Sequence, residues 1–195
     1  HDSGDVAHDL RDVRVLRAER DGRTRLRTLV LSAVLALATV LLAVLTQWVP
    51  AEAPARLGEA MRYAVLDGGK RLRPLLVLAS MQASASHRLE PWMREAAMRA
   101  ACAVELIHAY SLVHDDMPAF DNAATRRGQP TVHKAYGEPL ALLCGDALIV
   151  MAYQVLTDAA IQRPQRLAGL IKNLSQGVGL PHGIVAGQAW ECETR

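Results

Sequence analysis

Nowhere in this 195-residue chain do apolar and polar side chains alternate long enough to make a half-buried strand. The apolar residues come instead in blocks of Ala, Leu and Val, punctuated by Gly and Pro. Ala and Leu lose little freedom on entering a helix, and aromatic residues are only 4% of a chain that is 51% hydrophobic. The expected class is all-α. The length suits one domain, or part of one, with a real core.

The punctuation sets the expected elements. Residues 1–27 are polar, with arginines at 11, 14, 17, 20, 23, 25 and 27 partly offset by six acids, and Thr28 to Val49 then carries no charge. Pro50 to Pro54 is a break, and the expected division is a segment over 1–50 followed by a domain over 51–195. A helix is expected from Arg56 to about Leu66, stopped by Gly68-Gly69 because glycine adopts the left-handed conformation of a helix end. A second runs through PLLVLASMQAS, with Pro74 tolerated in its first turn. Others fit Pro91 to Val113, Pro139 to about Ala159, and Gln165 to about Gln176. The chain starts at His1 and stops at Arg195 straight after a patterned segment, as a fragment would.

The charge-free stretch has more than one reading. As a helix its 22 residues would span ~33 Å, against ~30 Å of bilayer core. A crossing would put either the arginine-rich tail or everything after Val49 on the far side. A buried or subunit-facing helix is preferred, and membrane association through 28–49 stays open. A net charge of +2 is too small to suggest a nucleic-acid partner. Cys102, Cys144 and Cys192 stand singly, without zinc or disulfide spacing, and read as small buried hydrophobes in a reducing compartment.

The chemistry is concentrated in HDDMPAFDNAATRRG, His114 to Gly128, which crowds three aspartates around a proline before two arginines. On the helix leading in, Glu105, His108, Leu112 and Asp115 are spaced three, four and three apart and share one face. Asp115 and Asp116 close that helix, and Asp121 follows six residues later. In an unbroken helix six residues turn ~600°, which would point Asp121 away from Asp115. Pro118 makes continuity untenable and lets the chain bring Asp121 back. Such hard carboxylates suit Mg²⁺, which keeps waters and shares its other positions with substrate phosphates. Arg126 and Arg127 suit the phosphates, because guanidinium forks grip phosphate oxygens. GGKRLRP, Gly68 to Pro74, sets three cations at a helix start, a second place for an anion. Taken singly, each stretch also reads as a charged surface turn; two phosphate-binding sets on one helical chain point to two phosphorylated substrates.

GGKRLRP, then HAYSLVHDDMPAFDNAATRRGQPTVH, GDAL and GQAWE, in that order, resemble the trans-isoprenyl diphosphate synthases, particularly the bacterial farnesyl diphosphate synthases. The resemblance covers about Ala53 to Glu191. It implies the antiparallel helical bundle of that family, a cytoplasmic homodimer, and a prenyltransferase. The reaction it implies joins isopentenyl diphosphate to an allylic diphosphate, dimethylallyl or geranyl, by Mg²⁺-assisted ionisation and electrophilic alkylation. By match of position, Asp115, Asp116 and Asp121 are the Mg²⁺ ligands, and Arg126 holds the allylic diphosphate. Lys70, Arg73, His108 and Arg127 hold isopentenyl diphosphate, and Gln188 lies near the allylic substrate. Gly145 and Asp146 match a pair with a structural role, while His114, His133 and His182 receive none.

In that family, growth stops when the tail meets side chains one helical turn below the first aspartates. Tyr110 is five residues before Asp115, ~7.5 Å along a helix axis, and Ser111 is four before. Tyr110 as floor, with the smaller Ser111 beside it, implies farnesyl diphosphate; geranylgeranyl diphosphate is the alternative. The chain also departs from the pattern. Asn122, Ala123 and Ala124 stand where further acids are common, and Glu191 replaces an aspartate. The second aspartate-rich motif is not among the 195 residues, so this chain by itself is expected to be inactive. The competing reading is a non-catalytic prenyltransferase-like subunit, which would have no need of both charged sets.

Overall fold

In the computed structural model, residues 4–48, 52–66, 68–85, 90–161 and 163–193 are described. Helices dominate: α1 Gly4–Trp48, α2 Ala55–Leu66, α3 Leu72–Ser84, α4 Pro91–Asp115, α5 Val132–Tyr136, α6 Glu138–Ala159, α7 Leu167–Val178 and α8 Ile184–Glu193. Between α4 and α5 lies a hairpin of two-residue strands, β1 Thr125–Arg126 and β2 Gln129–Pro130. The fold is all-α, as composition and periodicity implied.

The chain divides by contacts into two units, His1–Ala36 and Leu37–Arg195, and the division falls inside α1. Helix α1 runs straight through the change from charged to uncharged residues. Arg, Leu and Ala are all good helix formers, and no proline interrupts before Pro50. In the first unit Leu29, Leu31 and Leu35 are exposed. In the second unit Leu37, Leu41, Val44 and Leu45 are fully buried, at the three- and four-residue spacing of a single helix face. Of the Pro50 to Pro54 break, residues 50 and 51 lie outside the described residues.

The second unit is organised around α4 against α6, flanked by α2 and α3. Helix α4 gives Ala101, Cys102, Leu106, Ala109 and Val113 to the contact, and α6 gives Ala141, Cys144, Leu148, Ala152 and Val155. Apart from the adjacent Ala101 and Cys102, both sets recur every three or four residues, the stripe of a helix with one buried face. So many small side chains let the two backbones come close. Cys102 and Cys144 are buried in this core, where loss of hydration pushes both thiols up to about 12, so they behave as apolar filling; Cys192 is exposed.

Candidate active site

Helix α4 stops at Asp115 because Pro118 cannot continue it, and the next residues fold back instead of running on. The Asp121 N–H donates to the Asp115 carbonyl at 3.0 Å and the Ala123 N–H to the Asp116 carbonyl at 3.1 Å. The N–H groups of Phe120 and Asn122 both donate to the Met117 carbonyl, with Asn122 in the left-handed region at φ 48°. This turn brings Asp121 back beside Asp115.

Asp115, Asp121 and Glu191 line one pocket of about 790 Å³, together with Tyr110, Ser111 and Gln188. Burial is the main cause that raises the Asp115 pKa; the charges of Asp121, Asp116 and Glu191 add to it, and Arg126 opposes it. Asp116 is placed differently. It is 3% exposed, and Arg126 grips it with Nε to Oδ2 at 2.8 Å and Nη2 to Oδ1 at 2.7 Å. That charge-assisted bond is the main cause raising the Arg126 pKa. Arg126 Nη2 is also 3.7 Å from Asp115 Oδ2. Asp116 and Arg126, one matched to metal and the other to diphosphate, are thus bound to each other.

Among the described residues no three His, Cys, Asp or Glu side chains close into a ready metal cage. The donors nevertheless fit Mg²⁺, which takes one or two carboxylates and fills its octahedron with water and phosphate. Asp115 and Asp121 give such a pair on the pocket wall, and the strain on Asp115 from its acidic neighbours is what a cation would relieve.

Lys70, Arg73, His108 and Arg127 meet in a second pocket, of about 640 Å³. Arg127 reaches it from the hairpin, where Arg127 and Gly128 both have positive φ, 54° and 83°, as a two-residue type I′ turn requires. Its Nη1 donates to the Gly68 carbonyl at 3.0 Å. The guanidinium passes so close to Gly69 that a Cβ there would lie 2.9 Å from Cζ, so the glycine admits the arginine. Tyr63 fixes the hairpin from below, its hydroxyl donating to the Pro130 carbonyl at 2.7 Å. Arg73 Nη1 donates to His108 Nε2 at 3.2 Å. Burial first, then Arg73, lowers the His108 pKa; Glu105 opposes, and Arg127 and Arg126 add to the lowering.

A third cavity, about 590 Å³ and mostly aliphatic, adjoins both. It shares Ser111, Leu112 and Ile184 with the acidic pocket and Arg73 and His108 with the basic one. The Ser111 hydroxyl is turned inward and donates to the His108 carbonyl at 2.9 Å.

Two important features escape sequence reasoning. Arg71, the middle cation of GGKRLRP, lines the same pocket as its neighbours, but its guanidinium is already committed. It is buried in the left-handed region at φ 50°, ion-paired to Glu105 and donating to the Val65 carbonyl at 2.6 Å. The cue lay in Glu105, an acid on an otherwise apolar stretch of α4, which cannot be buried without a partner. His114 is the second. It lines the acidic pocket and is wedged against Gly145 of the GDAL stretch.

The polyprenyl synthetase family matches residues 54–195 of the chain. A geranylgeranyl diphosphate synthase of Cereibacter sphaeroides is 52% identical over 144 residues, 74% of this chain and 48% of that protein. A farnesyl diphosphate synthase of Geobacillus stearothermophilus is 44% identical over 144 residues, 73% of this chain and 46% of that protein. Among solved structures, an FPP/GFPP synthase from Zymomonas mobilis superposes with a TM-score of 0.77 at 42% identity, covering 87% of this chain and 58% of that one. The chain spans about half the length of the curated relatives it matches. With the family's match running through both charged pockets, the chain belongs to the polyprenyl synthetases, the trans-prenyltransferases of isoprenoid biosynthesis.

Proposed function

We propose that the complete protein joins isopentenyl diphosphate to an allylic diphosphate, dimethylallyl or geranyl, and releases farnesyl diphosphate. One observation carries this reading. An aliphatic cavity opens on one side to an acidic pocket and on the other to a basic one, with Ser111, Leu112, Arg73 and His108 as the shared walls. Two diphosphates of opposite chemical demand can thereby bring their hydrocarbon parts together away from water.

The residues divide the work. Lys70, Arg73 and Arg127 offer cationic donors to the isopentenyl diphosphate, and His108, kept neutral by burial and Arg73, orients Arg73. Mg²⁺ held at Asp115 and Asp121 would supply the charge neutralisation that lets an allylic diphosphate leave. Arg126 has its Nε and Nη2 edge on Asp116, so Nη1 is the nitrogen it would offer a diphosphate while the carboxylate holds the fork in place. Gln188 reaches the same pocket from α8. The allylic cation is attacked by the isopentenyl double bond, a new carbon–carbon bond forms, and the departing diphosphate takes the proton released. Leu112, Ile107, Leu174 and Ile184 keep water from the cation.

Tyr110 supports the fifteen-carbon product, being 4% exposed and set in the wall of the acidic pocket one turn below Asp115. Geranylgeranyl diphosphate is the second reading, favoured by the 52% identical synthase and by the aliphatic space that continues past Ser111. Incubating the complete protein with Mg²⁺, dimethylallyl diphosphate and isopentenyl diphosphate, then separating the dephosphorylated products, decides. A fifteen-carbon alcohol is expected; a twenty-carbon one selects the second reading, and no condensation with either allylic substrate leaves the non-catalytic subunit. The enzyme is read as a cytoplasmic homodimer. The burial of Leu37, Leu41, Val44 and Leu45 in the chain's own core speaks against a membrane span through that end of 28–49. Recovery only from detergent extracts of washed membranes would overturn it.

A further inference from the structure

Gly145 and His114 share a space that one methyl group would contest. A Cβ on Gly145 would lie 2.0 Å from His114 Nε2, 2.4 Å from Cδ2 and 2.7 Å from Cε1. The imidazole is pinned where it stands. Its Nε2 lies 3.1 Å from the Leu142 carbonyl, and because a carbonyl only accepts, this nitrogen carries the proton. Asp146 Oδ1 stands 4.0 Å from the same nitrogen. The ring meets Tyr110 edge to face, centroids 5.7 Å apart and planes at 77°.

Tyr110 sits in the core without a polar anchor. Its hydroxyl is buried with no hydrogen-bond partner among the described residues, so packing, the His114 ring contact included, fixes its orientation. Edge-to-face pairs contribute ~0.5–1.5 kcal/mol beyond area, enough to decide between rotamers of a residue without a polar anchor.

We propose that His114 is a positioning residue for product length: wedged on the bare Cα of Gly145 and tied to Leu142, it holds the Tyr110 ring across the pocket as its floor. This rests on the reading of Tyr110 as the floor. It gives the glycine of GDAL a stated task, to leave room for an imidazole from the facing helix, and Asp146 and Leu142 keep that imidazole from turning away.

The test is the product distribution of the complete protein carrying His114→Ala, Gly145→Ala, both together, or Tyr110→Ala. His114→Ala is expected to lengthen the main product by one isopentenyl unit relative to wild type, as Tyr110→Ala does, because either change releases the floor. Gly145→Ala is expected to shift it in the same direction by driving the imidazole off its seat. The double variant is expected to match His114→Ala, since the added methyl then has nothing to strike; such non-additivity is the mark of a direct contact. A merely structural role would lower the thermal midpoint and total turnover but leave product ratios unchanged. Lengthening by Tyr110→Ala with unchanged ratios in His114→Ala and Gly145→Ala overturns the proposal and spares the floor. Unchanged ratios in Tyr110→Ala sink the floor and this proposal with it. For a variant too slow to assay, the binding ratio of geranylgeranyl to farnesyl diphosphate is read instead: a rise supports the proposal and no change overturns it.

Discussion

The acidic and the basic pockets sit one helix face apart, yet the chain makes them in opposite ways. The aspartate pair of the acidic one is local, although Gln188 and Glu191 of α8 complete the pocket. Asp115 and Asp121 come from one segment of seven residues, folded onto itself by the hydrogen bond from Asp121 to the Asp115 carbonyl. The basic one is assembled. Lys70 comes from the loop before α3, Arg73 from the first turn of α3, His108 from α4, and Arg127 from a hairpin that must cross to Gly68 and Gly69. Their stabilities are arranged accordingly: like charges crowd the first, while a buried ion pair, Arg71 with Glu105, underlies the second. A local site tolerates strain from its own charges because helix α4 holds it; an assembled one needs an internal brace.

The comparison is broken most sharply at Asp115. Replacing it with Ala in the complete protein is expected to cut kcat roughly 1000- to 10,000-fold, since the leaving diphosphate would lose part of its charge compensation. The fold should persist, with a thermal midpoint no lower than wild type, because one of several facing acids has gone. Steady-state turnover and a melting curve check both halves. Near-normal kcat at saturating Mg²⁺ would remove Asp115 from the site.

Arg71→Ala should do the reverse, harming the fold more than the chemistry. The change leaves Glu105, itself 3% exposed, as a buried carboxylate without its partner, which costs about 3–5 kcal/mol. Urea denaturation should register the loss, and Arg71→Ala with Glu105→Gln should recover part of it. A stability within ~1 kcal/mol of wild type would show that Arg71 is no brace.

How much of this was legible in the sequence follows from the same contrast. The aspartates and the return of Asp121 could be read because Pro118 breaks the helix between them. The grouping of Lys70 and Arg73 with Arg127 came through family resemblance. No periodicity announces a type I′ turn with an arginine in the left-handed region. The hairpin, the five-residue α5 and the ten-residue α8 were all missed, being too short for a repeat to show. The uncharged part of α1 had the opposite defect. Asp21–Gln47, Pro91–Asp115 and Glu138–Ala159 are all long and apolar enough to cross a membrane, yet the last two form the core of the second unit. Hydropathy measures what a helix avoids and leaves open what covers it. The burial of Leu37, Leu41, Val44 and Leu45 assigns the end of α1 from Leu37 onward to a protein core, while Leu29, Leu31 and Leu35 before it stay exposed.

A smaller effect separates the two pockets by substrate. Lys70→Ala is expected to raise the KM for isopentenyl diphosphate roughly 10- to 100-fold, the ~1.5–3 kcal/mol of a hydrogen bond to a charged group. The KM for the allylic substrate should move far less, because Lys70 lines only the basic pocket. Initial rates with each substrate varied in turn check it. Equal rises in both would mean that the pockets act as one.

The smallest expected effect is a pH dependence belonging to the basic pocket. His108 titrates below its ordinary value of 6.5, first because it is half-buried and then because Arg73 faces it, with Arg127 and Arg126 adding to the repulsion and Glu105 pulling the other way. Its Nε2 accepts from Arg73, so a proton there would replace that hydrogen bond with a clash of like charges. Below pH 6.5 the unfolded chain therefore binds a proton at this position that the folded chain refuses. The sign follows directly: this contribution is complete above 6.5, declines as the pH falls toward the folded value, and is level beyond it. His108→Gln keeps an acceptor for Arg73 and removes the titration. Denaturant midpoints from about pH 8 to about pH 5 should fall less steeply for His108→Gln than for wild type, while the other histidines titrate alike in both. Parallel curves would mean that Arg73 turns aside as His108 charges, and that the basic pocket is looser than the 3.2 Å contact implies.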